Sequence, residues 1–320
     1  RRTARSGRVR KARPDARRGG GMKDGDRTLD IALLQINGAR DPAANIETLL
    51  PMIAEAAAGG AQLVCTPEVS DMVEPKGDLN VQKAQTEADH GVLAALRAAA
   101  RDARVWLAIG SVLVRHEEGG EAPLANRSFL VDDQGEIRAR YDKIHMFDVE
   151  VGDGQTYRES ARIRPGGRAV VADTPWARLG LTVCYDVRFP YLYRALAKAG
   201  AEVLLVPAAF TAKTGSAHWH TLLRARAIET GCFVVAAAQT GTHAEGRQTY
   251  GHALVIDPWG EVLSDAGTDP GITRVRLPLD RVREIRQAVP SLGNDRPFAP
   301  PGRLTPEAGG CIRSLHSSAG

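Results

Sequence analysis

The stretch Gly180-Leu181-Thr182-Val183-Cys184-Tyr185-Asp186-Val187-Arg188-Phe189-Pro190 decides how this chain is read. Leu181 to Cys184 is the end of a buried strand, and the cysteine stands where the strand stops. Phe189-Pro190-Tyr191-Leu192-Tyr193-Arg194-Ala195-Leu196 then reads as a helix entry with proline in the first turn. A side chain at such a turn is exposed at the carboxyl edge of a sheet, and the next helix points its positive end back at it. That setting can lower a thiol pKa and make a nucleophile. Many ordinary α/β turns share the layout, so Cys184 needs partners before it means anything.

Outward from that turn, apolar runs and helical spacings alternate. Upstream, strands are expected at Leu29 to Ile36, Ala61 to Cys65 and Val105 to Val114. Between them lie helices, the first capped by Asp41-Pro42 and the second marked by Val92, Leu93, Leu96 and Ala100. Residues 70–87 read as a polar, irregular excursion. Arg127 to Val131 and Ile137 to Tyr141 flank Asp132-Asp133-Gln134-Gly135 as a hairpin. Lys143 to Gly167 is loop-like, and strands follow at Ala169 to Ala172 and Ala177 to Val183. Downstream come a helix at 190–199, a strand at Val203 to Val206, a helix at about 217–230 and a strand from Phe233 to Ala238. A second hairpin around Asp257-Pro258-Trp259-Gly260, a strand at Ile272 to Val275 and a short helix at 280–288 complete the folded part.

The two halves resemble each other. Gly60-Ala61-Gln62-Leu63-Val64 parallels Gly200-Ala201-Glu202-Val203-Leu204, and each half runs strand, helix, strand, helix, strand, hairpin. Two mixed sheets packed face to face with helices outside would bury both, which is an α/β four-layer αββα sandwich. Loop side chains at the carboxyl ends of the strands would then gather in one place.

Composition sets further bounds. The 320 residues are 43% hydrophobic and 25% charged, as in ordinary globular proteins. The formal charge of +4 misleads, because nine Arg and Lys with one acid, Asp15, crowd the first 18 residues and leave the remainder net acidic. We read residues 1–28 as a basic, disordered extension, 29–289 as one folded domain and 290–320 as an arm or tail, partly disordered. No apolar run suits a membrane or a secretory signal. The four cysteines, Cys65, Cys184, Cys232 and Cys311, show no CxxC pattern, which suits a reduced, cytoplasmic protein. Neither nucleic acid nor a membrane is expected as a partner.

Cys65 and Cys232 sit inside apolar runs and read as inert core thiols. Glu68 follows Thr66-Pro67 at a strand end, and Lys143 closes the first hairpin. Either alone reads as a surface charge. With Cys184 they make three strand ends that the duplication would bring together. A carboxylate can take the thiol proton and return it to a leaving group, while an ammonium and the Tyr185 backbone N–H stabilise an oxyanion. His218 and His220 offer only a weak metal signal, with no further ligand nearby in sequence.

With these residues in view, the chain resembles the carbon–nitrogen hydrolase (nitrilase) superfamily over about residues 29–298. Thr66-Pro67-Glu68, Tyr141-Asp142-Lys143-Ile144-His145-Met146-Phe147-Asp148 and Val183-Cys184-Tyr185-Asp186-Val187-Arg188-Phe189-Pro190 occur in the family's order. Pro207 to Trp219, Leu222 to Glu229 and Tyr250 to Gly260 are most similar to the Nit branch, of the Nit1-type deaminated glutathione amidases. The resemblance implies Glu68 as general base, Lys143 as stabiliser of the tetrahedral intermediate and Cys184 as nucleophile, with Glu159 as a second active-site glutamate. It implies no metal or organic cofactor, and αββα protomers paired into a homodimer or larger homo-oligomer. The implied reaction is hydrolysis of the terminal amide of a small α-keto acid amide to acid and ammonia through a thioester. An ω-amidase acting on α-ketoglutaramate is the alternative, and a catalytically idle binding protein the third reading. Arg188 is a candidate for a substrate carboxylate, or for an ion pair with Asp186 or Asp148. Tyr185, Phe210, Thr211 and His145 are pocket candidates. The chain departs from the family pattern at Thr66, Tyr191 and Ala253.

Overall fold

Alternation along the first strand sorts the core into layers. In a strand successive side chains face opposite ways. In β1 (Thr28–Gln35), Leu29, Ile31 and Leu33 join one buried cluster, while Ala32 and Leu34 join another. The computed structural model describes residues 27–301, together with 304–306 and 312–314. The expected N-terminal extension, apart from Arg27 and Thr28, and Cys311 lie outside those residues.

The first half runs α1 (Pro42–Ala58), β2 (Leu63–Cys65), α2 (Gly77–Lys83), α3 (Gly91–Ala103), β3 (Trp106–Arg115), β4 (Leu124–Val131) and β5 (Ile137–Asp142). The Asp41 carboxylate accepts the Ala43 N–H and starts α1, as its sequence position suggested. A connecting segment carries the short strands β6 (Asp148–Val149) and β7 (Tyr157–Arg158). The second half comprises β8 (Val170–Asp173), β9 (Arg178–Leu181), α4 (Pro190–Lys198), β10 (Val203–Leu205), α5 (Ala212–Thr230) and β11 (Phe233–Ala236). It continues with a small hairpin, β12 (Thr240–Thr242) and β13 (Gln248–Tyr250), then β14 (Leu254–Ile256) and β15 (Val262–Asp265). Strand β16 (Gly271–Pro278) and α6 (Asp280–Ala288) follow, and β17 (Leu304–Pro306) pairs with β18 (Ile312–Ser314) in the C-terminal segment.

Two six-stranded sheets result, ordered β16-β1-β2-β3-β4-β5 and β8-β9-β10-β11-β14-β15. The duplication read from the sequence appears here strand for strand. In each sheet three parallel strands (β1, β2, β3 and β9, β10, β11) are flanked by an antiparallel hairpin and one antiparallel edge strand. The edge strands differ in origin. β8 precedes its own half, whereas β16 comes from the end of the chain and pairs with the whole of β1, from Thr28↔Pro278 to Gln35↔Gly271. Leu29, Ile31, Leu63 and Leu130 of the first sheet share a cluster with Leu179, Leu181, Val203 and Leu205 of the second, so the sheets pack face to face. Leu49, Ile53, Leu96 and Ala100 cover the outer face of the first sheet, and Leu196, Trp219 and Leu223 belong to the cluster of the second. The four-layer α-β-β-α arrangement follows.

Some elements depart from the sequence expectation. Helix α2 falls within the stretch read as irregular, because it has no buried residue and so shows no apolar period. α5 starts at Ala212 rather than near 217, since its first turn is polar and Gly-containing. The loop-like 143–167 contains the β6–β7 pair and a 3-10 turn at Glu159–Ala161. No helix among the described residues is long and apolar enough to cross a membrane.

Candidate active site

Lys143 directly follows β5, Glu68 and Cys184 stand three residues beyond β2 and β9, and the packed sheets bring all three to one cavity. Lys143 Nζ donates to Glu68 Oε1 at 2.9 Å and to Glu159 Oε1 and Oε2 at 3.0 and 2.9 Å. The Cys184 thiol and the Glu68 carboxylate line the same cavity, near enough for each to shift the other's proton affinity. Lys143 is only 2% exposed, so this is a charged network held in a low-dielectric wall.

The backbone is shaped for this meeting. Cys184 has φ 49, a left-handed conformation that few non-glycine residues adopt, and opens a 3-10 turn, Cys184–Arg188, before α4 begins at Pro190. Its N–H donates to the Pro207 carbonyl at 2.9 Å. Asp186 locks the turn. Its Oδ2 accepts the Val183 N–H at 2.8 Å and the Tyr141 hydroxyl at 2.7 Å. On the other side Thr66 Oγ1 accepts the Gly110 N–H at 3.1 Å, giving the departure at Thr66 a structural use. A Cβ at Gly110 would lie 2.2 Å from the Thr66 carbonyl oxygen and 2.4 Å from that of Pro67. Gly110→Ala should therefore push the segment bearing Glu68, costing about 1–3 kcal/mol in stability and lowering kcat more than KM. A melting curve with steady-state kinetics checks this, and wild-type values in both would refute it.

The electrostatics differ from the opening expectation for the thiol. Burial, then the negative charge of Glu68, pushes the Cys184 thiol well above its ordinary pKa, and Lys143 only partly offsets them. Burial also raises Glu68, but the charge and hydrogen bond of Lys143, the Cys184 thiol and the Ala209 N–H outweigh it and hold the carboxyl below its usual range. Burial would strip the proton from Lys143, yet Glu159 and Glu68 hold it well above the ordinary lysine value. The resting site is thus a neutral thiol beside an ionised carboxylate and an ammonium. Cys65, with burial alone acting, is pushed up to about 12.

Sequence reasoning missed the groups that hold this network. Asn126 Nδ2 donates to Glu68 Oε1 at 3.0 Å and to Glu159 Oε1 at 3.2 Å. The Ala209 N–H donates to Glu68 Oε2 at 2.8 Å, the Phe147 N–H to Glu159 Oε2 at 2.7 Å, and Gln239 Nε2 to the Glu68 carbonyl at 3.0 Å. The available signals were two lone amides, Asn126 inside a hairpin strand and Gln239 just beyond β11. Backbone donors carry no side-chain signal at all.

The pocket candidates separate. Tyr185, Phe210 and Thr211 line a cavity of about 850 Å³, together with Glu68, Lys143, Glu159 and Cys184. His145 does not line it. Its ring stacks on Phe189 at 3.5 Å and lies between Asp186 (2.7 Å) and the Tyr191 hydroxyl (2.6 Å), where it supports the cysteine turn. Arg188 also lies off the lining. The guanidinium meets His218 Nδ1 at 3.3 Å and covers the Tyr185 and Phe210 rings, rather than pairing with Asp186 or Asp148. His220, given no partner by the sequence, meets Asp265 at 2.9 Å, and Asp265 also meets His252 at 2.9 Å, away from the cavity.

Comparison with known proteins accords with this geometry. Residues 30–287 match the carbon-nitrogen hydrolase family. The deaminated glutathione amidase of Yersinia enterocolitica is 40% identical over 274 residues, covering 84% of this chain and 94% of that protein. The crystal structure of the C. elegans NitFhit protein has a TM-score of 0.77 at 36% identity, covering 86% of this chain and 66% of that one. A mutant amidase from Nesterenkonia sp. AN1, showing the result of Michael addition of acrylamide at its active site cysteine, has a TM-score of 0.69 at 30% identity, covering 82% of this chain and 98% of that one. The family match spans both sheets and every strand end that contributes to the cavity, and on it this chain belongs to the carbon–nitrogen hydrolase family, the nitrilase superfamily, as a hydrolase of non-peptide C–N bonds in linear amides.

Proposed function

We propose that Cys184, Glu68 and Lys143 perform this hydrolysis as nucleophile, general base and oxyanion stabiliser, on the amide of a small α-keto acid. The observation that supports the assignment is one buried carboxylate, Glu68, bonded to a buried ammonium in the cavity that Cys184 also lines. Glu68 accepts the thiol proton as Cys184 Sγ bonds to the amide carbon. The carbonyl π electrons move onto oxygen, where Lys143 offsets the developing charge. Collapse breaks the C–N bond, and Glu68 returns the proton to the departing nitrogen. Water, deprotonated by Glu68, then cleaves the thioester, and the thiol regains its proton. Because the ground-state thiol is neutral and Glu68 ionised, no free thiolate need accumulate. Glu159 holds the ammonium from its second side and keeps it charged.

Deaminated glutathione is the substrate favoured by the relatives' names and by the cavity, whose volume of about 850 Å³ suits more than a minimal amide, drug-sized ligands filling ~300–1,000 Å³. With that substrate the departing group is cysteinylglycine rather than ammonia, because the γ-amide nitrogen of glutathione belongs to its cysteine. The second reading, an ω-amidase on α-ketoglutaramate, shares the acyl half and would release ammonia. Assaying α-ketoglutarate release from both substrates separates them. A higher kcat/KM for deaminated glutathione supports the first reading, the reverse supports the second, and no release from either sinks both.

We further read the chain as a homo-oligomer in a reducing compartment such as the cytoplasm. Exposed Ile228 and Trp259, with Ile228 against Gly260, offer an apolar surface outside the cavity, and Cys65, Cys184 and Cys232 are free thiols. Light scattering on a sizing column tests the assembly, and a monomer mass would reject it.

A further inference from the structure

Five cations line the cavity, and four of them have a carboxylate partner. Among the lining cations, Lys143 is matched by Glu68 and Glu159, Lys76 by Glu245 at 3.2 Å, Arg158 by Glu150 at 2.6 Å and Arg162 by Asp78 at 2.7 Å. The remaining lining acid, Glu74, is taken by Arg40 and Lys83 from outside. Arg247 stands apart. Among the described residues it has no carboxylate partner. Its Nη2 donates to the Ala209 carbonyl at a long 3.3 Å, and its buried Nε has no hydrogen-bond partner. A buried guanidinium nitrogen left unmade costs free energy unless a ligand satisfies it.

Its position is fixed by the fold. Arg247 immediately precedes strand β13 of the small hairpin, where Thr249 bridges to Thr211. The preceding turn passes through two left-handed residues, Glu245 (φ 57) and Gly246 (φ 75), and Arg40 and Lys76 hold the Glu245 carboxylate. Arg247 therefore holds the carbonyl of the same residue whose N–H binds the Glu68 base. A group bound by its planar fork would lie in the same cavity as Cys184.

We infer that Arg247 anchors a carboxylate of the substrate and so sets the preference for acidic amides. The inference rests on the amidase reading above and adds the recognition element. It moves the role considered for Arg188 to a guanidinium that actually lines the cavity. Two carboxylates could fill it: that of the keto-acid half or that of the departing glycine.

Binding to Cys184→Ala, which needs no turnover, tests this independently of the chemistry. α-Ketoglutarate and cysteinylglycine would be titrated by calorimetry into C184A and into C184A with Arg247→Gln or Arg247→Lys. Loss of a charge-assisted bond should weaken one of the two ligands by roughly 10- to 100-fold in the Gln variant, with partial recovery in the Lys variant. The ligand that weakens identifies which carboxylate is held. In parallel, Arg247→Gln alone should cut, by a similar factor and mainly through KM, the kcat/KM ratio of α-ketoglutaramate over its neutral methyl ester if the keto-acid carboxylate is held, or that of deaminated glutathione over its glycine methyl ester if the glycine carboxylate is held. Both ligands binding the Gln variant within twofold of the parent, or both kcat/KM values falling together with a lowered melting temperature, would overturn the inference. Failure of the amidase reading would show instead as a wild-type protein that turns over no amide.

Discussion

Cys184→Ala should reduce amide hydrolysis to background, a loss of at least about 10⁴-fold, on the scale seen when a covalent nucleophile is removed. Without the sulfur no thioester forms, and the other groups have nothing to attack with. Protein stability should barely change. Alanine at φ 49 carries the same backbone strain as cysteine, and the hydrogen bond from residue 184 N–H to Pro207 does not involve the side chain. The Glu68–Lys143 pair remains intact. Rapid quench followed by intact-mass spectrometry should find the keto-acyl adduct on the wild type and none on the variant. Turnover above a hundredth of the wild-type rate in C184A would reject Cys184 as nucleophile.

The second large effect concerns Lys143. Lys143→Met keeps the chain length but leaves Glu68 and Glu159 facing each other across Asn126 with no cation between them. Activity should fall by at least about 10³-fold, because the oxyanion loses its charged partner. Stability should drop by about 3–5 kcal/mol, the usual result of removing one partner from a buried ion pair. The pH dependence carries the diagnosis. In the wild type Glu68 is held below its ordinary value, so its contribution is complete above the unfolded-state pKa and is lost as pH falls through the folded one. Lys143 is held above its ordinary value, so its contribution is complete below the unfolded-state pKa and lost as pH rises through the folded one. Across the neutral range the wild-type network is therefore fully stabilising and its melting temperature nearly flat from this source. In Lys143→Met one carboxylate should take up a proton, so the melting temperature should rise as pH is lowered from 8 to 5, roughly the range between the two situations. A flat or falling curve would show that the two carboxylates do not interact as described.

How much of this was legible beforehand depends on the kind of signal. Apolar periodicity located the two sheets, because β1, β3, β10 and β11 bury nearly every residue. The strand ends at Glu68, Lys143 and Cys184 followed from those boundaries. Helix α2 escaped because a helix on the surface needs no apolar face. The supports of Glu68 escaped for another reason. Asn126, the Ala209 N–H and Gln239 lie 58, 141 and 171 residues away, and the last two act on or through the main chain. The direction of the Cys184 shift was misjudged because a local view saw only the helix and omitted burial and the neighbouring carboxylate, which dominate. Arg188 and Arg247 look equivalent as letters, and only their placement distinguishes the one stacked on rings from the one facing the cavity.

The pairing of β16 with β1 has a consequence for biogenesis. While the polypeptide is being translated, the first half can assemble four of its neighbouring strand pairs, but one flank of β1 waits until residues 271–278 have left the ribosome. An open strand flank invites pairing with other nascent copies. Production in cells should therefore respond sharply to chaperone supply and to truncation before Gly271, even where the truncated piece retains every triad residue.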